Sequence, residues 1–453
     1  MTLGKFSRES LFRNLWFAYL ALMLCWGIAF YADIVKQYQL GHTFLRMENG
    51  SLIILDFVLW YGAAIIAKRA DSGPVNVYDL DLQFRNLQEI IKPYVTGEGQ
   101  PVQYPPHFFA MIKPMANLGM GPAYITWCLL ALPLIVVALF QLSKVLKNAK
   151  FSRAFFIIAG LTSYPTCYAF SIGQTTLFQF PALAAFWLLL RHDKFFVAGI
   201  IASLLTVKLQ YAPFVILAGL IVGRLRFLWG LLLGGTVLLI FSISSIGLQN
   251  VLIYPKALLE AETNHWVGAP VMQNFRGEIL MFYGDTHFVH QLSTGLFIAS
   301  IIGVGFLWWK IYPMLLKAAG ERAFGLSVLL TTGVMLICNP HTHFQDYMAI
   351  SIPVALTYSA LKDVTAKEIK LRMLRILLWS FPLSSWLVIY FYAWLVLFKI
   401  QPYFVWALFV LIISTMVSEK RQSSRLFESD AVGTSEKIYG RNWESGALRH
   451  AGR

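Results

Sequence analysis

Apolar runs long enough to cross a bilayer recur along this chain, and the connections between them are alternately rich and poor in lysine and arginine. Inside hydrocarbon a backbone must satisfy its own hydrogen bonds, which restricts spanning segments to helices or closed barrels. Runs of about 17 to 25 residues are the length a helix needs. The candidate spans are 15–32, 121–143, 154–170, 175–190, 195–206, 211–222, 227–246, 292–310, 324–338, 347–361, 376–398 and 403–417. That predicts an all-α polytopic membrane protein of about 12 transmembrane helices, with 195–206 and 211–222 too short to cross untilted.

Short cytoplasmic connections collect Lys and Arg. The N-terminal Lys5, Arg8 and Arg13, the Lys144/Lys147/Lys150/Arg153 loop, Arg191/Lys194, Arg224/Arg226, Lys310/Lys317/Arg322, the 362–375 segment and the tail from Lys420 all fall on alternate connections, and so on one side. The connections 33–120, 171–174, 207–210, 247–291 and 339–346 then share the opposite, external face. Lys plus Arg exceed Asp plus Glu by 37 to 23, a net charge of +14. These charges sit in short clusters between apolar runs without aromatic interleaving, which suits membrane anchoring and speaks against nucleic acid.

The same alternation decides how 51–67 (SLIILDFVLWYGAAIIA) is read. Were it to cross, the Lys144 cluster and most later basic loops would move outside. It is therefore expected to be an amphipathic helix in the outer interface, starting at Ser51 after the Asn49-Gly50 turn. The segment after Pro106, broken by Pro114, is expected to be a second interfacial helix. The first apolar run has no small-residue cleavage site after it and is read as a retained helix. Cys25, Cys128, Cys167 and Cys338 lack metal spacing and read as small core residues. The expected organisation is a catalytic membrane domain over 1–417, with external loops at 33–120 and 247–291, and a cytoplasmic tail over 418–453 whose Ser, Glu, Arg and Gly suit disorder.

Asp56 lies among Leu55, Phe57 and Trp60, where a carboxylate is costly unless something uses it. It is the candidate catalytic base, the alternative being a structural partner of an arginine. Asp56 and Trp60, one turn apart, share a helix face. The external connections add Asp79, Asp81, Tyr104, Gln174, Lys208, Gln210, Asn264, His265, Arg276, His341, His343 and Asp346. One carboxylate with several cations near helix ends suits transfer from a lipid-linked phosphate: a base takes a hydroxyl proton and fixed positive charge stabilises the departing phosphate. Lys208, at the mouth between two short apolar runs, is a phosphate contact or a snorkelling lysine. His341 and His343 suit phosphate hydrogen bonding better than metal ligation, because no third ligand accompanies them at short spacing. Arg276 suits bidentate phosphate contact or is a solvated loop charge. Gln174, after Gly173, contacts a sugar or caps a helix. Asp79-Leu80-Asp81 has a D-x-D spacing that holds a metal in some enzymes but reads more readily as a turn. Tyr104, Gln210, Asp79, Asn264 and Asp346 complete the expected substrate contacts, with no metal site and no cofactor.

The chain resembles glycosyltransferase family 87, the polyprenyl-phosphate-sugar-dependent membrane enzymes of the GT-C fold. The resemblance is carried by Asp56-Phe57, Tyr61-Gly62-Ala63-Ala64, Val77-Tyr78-Asp79, Tyr104-Pro105-Pro106, Lys113-Pro114-Met115, Gly173-Gln174, Lys208-Leu209-Gln210 before Arg224-Leu225-Arg226, and Asn339-Pro340 through Asp346-Tyr347. It departs where Leu209 and Thr176 stand in place of the Pro and Asn of many relatives, and where Trp266 interrupts a small polar segment. It implies Asp56 as catalytic carboxylate, a polyprenyl-phosphate sugar as donor, typically mannose, inversion at the sugar carbon, and a lipid or glycan acceptor. The implied setting is a bacterial inner membrane with cytoplasmic termini and a periplasmic active site; in a eukaryotic membrane the same face would be lumenal.

Two other readings compete. A transporter or lipid-sugar flippase would place its ionisable residues near the midplane and often repeats its halves, whereas here the polar set gathers at one end and no repeat is visible. A polymerase or ligase using a lipid diphosphate would rely more heavily on external arginines, of which Arg276 is the clear one. No Walker loop, G-x-S-x-G or dinucleotide fingerprint supports an ATPase, serine hydrolase or dehydrogenase.

Overall fold

The computed structural model describes residues 55–92, 102–146, 150–263, 272–315 and 320–360, with scattered positions between 17 and 32. The expected spans at 376–398 and 403–417, most of the first span, the tail from 418 and Asn264 lie outside the described residues. Every regular element among the described residues is helical.

Helices α1 (Leu55–Arg69), α2 (Leu80–Ile91) and α3 (Pro106–Ile112), the last continued by a 3-10 turn at Lys113–Asn117, build a cap of short helices. The starts of α2 and α3 have local causes. The Asp79 carboxylate accepts from the Leu82 N–H at 2.9 Å and caps α2, and Pro106 opens α3 where no backbone donor is needed. The sequence predicts α1 as an amphipathic helix lying on a surface. The structure instead buries Phe57 through Trp60, Ala63, Ala64, Ile66 and Ala67. Four consecutive buried positions point all round a helix, so a single apolar stripe does not describe it. The reason is that neighbouring segments cover it: Tyr61 Oη donates to the Leu118 carbonyl at 2.7 Å, Asn86 Nδ2 to the Gly62 carbonyl at 2.9 Å, and Lys68 Nζ to Asn117 Oδ1 at 2.5 Å.

Beyond the cap run α4 (Met120–Val145), α5 (Lys150–Thr162), α6 (Tyr164–Ile172), α7 (Thr176–Arg191), α8 (Phe195–Leu204), α9 (Ala212–Ile246), α10 (Leu248–Thr263), α11 (Phe275–Tyr283), α12 (His287–Leu315), α13 (Gly320–Cys338) and α14 (Ser351–Ala360). Among the described residues, α4, α9 and α12 are long and apolar enough to cross a membrane, and α5 with α6, bent by 42° at the break between them, forms either a broken fourth span or a re-entrant loop. Their outward faces are apolar, as lipid requires: Leu129, Val137, Ile240 and Ile302 are all exposed. The basic connection expected at 224–226 is a break inside α9, where Arg224 leaves helical geometry at φ 48, ψ −134. The segment after that break packs on α8 through glycines. A Cβ on Gly199 or Gly230 would collide with the facing backbone, and one on Gly234 with the side chain of Ser203. Small residues of this kind let membrane helices touch backbone to backbone.

Candidate active site

The site begins with a turn that glycine alone accommodates. Gly173 ends α6 in the left-handed conformation (φ 67, ψ 38), and a Cβ there would lie 2.5 Å from Cβ of Phe57. Both the backbone angle and the missing space demand glycine. The first turns of α1 dock on this bend. Trp60 Nε1 donates to the Gly173 carbonyl at 3.1 Å, and Gln174 Nε2 donates to Asp56 Oδ2 at 2.6 Å. The pairing of Asp56 and Trp60 on one face thus has a physical object, the Gly173-Gln174 bend.

Gln174 is itself gripped. Its Oε1 accepts from the Thr175 backbone N–H at 2.7 Å and from Thr175 Oγ1 at 2.9 Å. The Tyr104 hydroxyl lies 3.1 Å from Thr175 Oγ1. Its ring packs edge-on against Trp60, with centroids 4.7 Å apart, and at a 33° tilt against Phe108, with centroids 4.4 Å apart. Pro105 and Pro106 hold the chain extended at Tyr104 before α3 begins, which aims the ring at the site.

One residue further along, Thr176 links this arrangement to a buried ion pair. Thr176 Oγ1 donates to Asp346 Oδ1 at 2.8 Å and accepts from Lys208 Nζ at 3.0 Å. Lys208 also bonds Asp346 Oδ1 directly. The lysine is 5% exposed and the aspartate 0%. The other Asp346 oxygen accepts from the His343 N–H at 3.0 Å and closes a capping box on the 3-10 turn Phe344–Ile350. Lys208 is therefore a paired lysine, and Asp346 is occupied in holding it.

Burial pushes the Asp56 carboxyl up to about 7; the Lys208 charge pulls it back and the Asp346 charge adds to the rise. For Asp346 burial alone would also raise it, yet Lys208, by charge and hydrogen bond, and the His343 N–H hold it below the ordinary carboxylate range. Two carboxylates in one network are thus driven apart, one staying ionised and the other poised to exchange a proton near neutrality. This is how acid and base roles are separated in enzyme sites.

The remaining expected residues group around this core. Gln210 Nε2 reaches the His341 carbonyl at 3.5 Å. The His341 N–H donates to Asn339 Oδ1 at 2.8 Å, and Asn274 Nδ2 donates to the Asn339 carbonyl at 2.6 Å, so the segment entering α11 is tied to the 339–346 turn. Arg276, buried in α11, donates through Nη2 to His290 Nδ1 at 2.9 Å, and His290 Nε2 in turn meets Asp285 Oδ1 at 2.5 Å. Asp79 is exposed and serves its helix cap. Among the described residues no three His, Cys, Asp or Glu side chains are grouped so as to hold a metal ion. Sequence reasoning passed over Thr175 and took Thr176 only as a departure from its relatives. From adjacent positions in the chain, one hydroxyl serves the Asp56 centre through Gln174 and the other the Lys208–Asp346 pair, but nothing about an isolated Thr-Thr pair announces such a role.

An all-helical membrane protein that keeps one desolvated carboxylate beside a buried ion pair has the make-up of a membrane-embedded enzyme. A family model, glycosyltransferase family 87, matches residues 103–340, more than half of the 453-residue chain. The chain belongs to that family and is a membrane glycosyltransferase. No curated protein and no solved structure matches it. The matched residues take in Tyr104, Gln174, Lys208, Gln210 and Arg276 and stop short of Asp56 and of 341–346. Those two segments join the matched part through Gln174, Thr176 and Lys208.

Proposed function

We propose that this enzyme takes its sugar, mannose in the first instance, from a polyprenyl-phosphate donor and delivers it to a hydroxyl of a lipid or glycan acceptor on the extracytoplasmic face. Asp56 is the general base of an inverting displacement. The acceptor oxygen attacks the anomeric carbon, the bond from that carbon to the phosphate oxygen breaks with its electrons leaving on the phosphate, and the hydroxyl proton passes to Asp56. The observation that carries this reading is the carboxyl of Asp56, held by Gln174 and raised towards neutrality, at the meeting of connections all assigned to the external face.

Positive charge for the departing phosphate comes in this proposal from Lys208, His341, His343 and Arg276. An ammonium has three N–H donors; Thr176 and Asp346 engage Lys208, and its remaining donor is assigned to a phosphate oxygen. Tyr104 and Gln210 are the nearest candidates for sugar or acceptor contacts. The overall arrangement is that of a GT-C enzyme of about 12 spans, in a bacterial inner membrane with the site in the periplasm.

Full-length protein reconstituted in vesicles with polyprenyl-phosphate-mannose, other polyprenyl-phosphate sugars and hydroxyl acceptors tests the proposal. Transfer is expected from a monophosphate donor, lost by roughly 10²- to 10⁴-fold in Asp56→Asn with donor binding retained. Wild-type turnover in Asp56→Asn removes the base assignment. Transfer from lipid diphosphates alone removes the donor assignment.

A further inference from the structure

We propose that Gln174 is a positioning residue for Asp56, its amide locked by Thr175 so that it presents a permanent N–H donor to one carboxylate oxygen and keeps the other turned to the substrate. The inference rests on the reading of Asp56 as the base. It assigns Gln174 to the enzyme's own carboxylate rather than to a sugar.

The direction of the amide follows from its partners. A backbone N–H can only donate, and that of Thr175 points at the Gln174 oxygen from 2.7 Å. The nitrogen therefore faces Asp56 Oδ2 at 2.6 Å. Flipping the amide would set donor against donor at Thr175 and oxygen against carboxylate at Asp56. Thr175 Oγ1 uses its one proton on Gln174 Oε1 at 2.9 Å and so accepts from Gln179 Nε2 at 3.3 Å and from the Tyr104 hydroxyl at 3.1 Å. Each proton in this row points towards Asp56, and the last donor fits a carboxylate better than a carboxylic acid. A hydrogen bond to the charged form favours that form.

The other groups bearing on Asp56 are Lys208, in the turn before α9, which favours its ionisation, and Asp346, in the 3-10 turn before α14, which opposes it. Tyr104, before α3, is a phenol whose own ionisation burial disfavours. Burial acts against the ionised base, and Gln174 supplies a fixed, uncharged counterweight that needs no exposed cation in a site meant to receive an anion.

The test reads Asp56 in two ways on full-length protein in vesicles. Isotope-edited infrared spectra, with the Asp56 carboxyl band identified by its loss in Asp56→Asn, give the protonation midpoint. Transfer from polyprenyl-phosphate-mannose across pH gives the acid limb of turnover. Gln174→Leu is expected to move both midpoints upward by about one pH unit, to lower the rate at pH 7 about fivefold, and to leave donor KM within about twofold. Thr175→Val is expected to shift both in the same direction by less, because the backbone N–H still grips Gln174. An infrared midpoint unchanged in Gln174→Leu, or a loss confined to donor KM, overturns the proposal. If Gln174→Leu does not fold, an unchanged midpoint in Thr175→Val overturns it. If wild-type protein transfers no sugar, the functional reading fails while the infrared midpoint still decides the role of Gln174.

Discussion

Helix α7 has a different electrostatic character at each end. At its start, Gln174, Thr175 and Thr176 sit among Asp56, Lys208 and Asp346, and the ion pair there is buried on both sides. At its end, Arg191 makes a two-pronged bond to Glu321 at 2.9 and 2.7 Å, but the glutamate is 64% exposed. The two ends are about 24 Å apart at the rise of an α-helix. An exposed pair contributes little to stability and is screened by salt, whereas a buried pair is costly to assemble and more costly to break. The basic end carries information about which way the chain lies in the membrane. At the other end, where the proposed chemistry lies, charge is buried away from water.

The contrast can be broken most forcefully at Asp346. Asp346→Asn leaves the Lys208 charge buried without its counter-ion and is expected to cost about 3–5 kcal/mol, read as a large fall in Tm. Lys208→Met with Asp346→Leu is expected to recover most of that stability without restoring transfer; recovery of both would make the pair a packing element alone. Because the Asp346 carboxyl is held below its usual range, its stabilisation is complete above that range and is lost as pH falls through it. Gly173→Ala comes next, at about 2–4 kcal/mol, from its left-handed backbone and the clash with Phe57. Gly235, where a Cβ meets nothing within 4 Å, is the control, and alanine there is expected to leave Tm unchanged or slightly higher. A pH–rate profile comes third. With the Asp56 carboxyl raised to about 7, the proposed base role predicts turnover that climbs with pH and levels off above that value, falling about tenfold for each unit below it. A profile flat from pH 5 to 8 would detach Asp56 from the rate. The smallest effect belongs to the other end of the helix: Arg191→Ala is expected to cost no more than about 1 kcal/mol and to leave transfer intact. A loss of activity there would erase the distinction between the ends.

Charge placement made the two ends legible before any coordinates. Arg191, in the basic connection 191–194, meets Glu321, and Arg224 stacks on Tyr312 with 5.1 Å between the guanidinium and the ring. The connections assigned to the other face meet around Gln174. This works because the membrane sorts loops by local composition, which a sequence displays directly. What stayed hidden was pairing. Asp56 and Gln174 are 118 residues apart in the chain, Lys208 and Asp346 138, and neither pattern nor spacing ties such positions together. Lys208 therefore read as a cation awaiting phosphate, and its aspartate partner as a substrate contact. The covering of most of α1 was obscured in the same way, since a short apolar run with one acid looks the same whether lipid or protein surrounds it.

The glycine seam between α8 and the second half of α9 bears on how a long isoprenoid could reach Asp56. With Gly199 and Gly230 pressed against facing backbone and Gly234 against Ser203, no crevice remains there for a hydrocarbon tail to slip through. For the proposed polyprenyl-phosphate donor the lateral portal then lies along another side of the bundle, and labelled isoprenoid analogues should leave this seam unmarked.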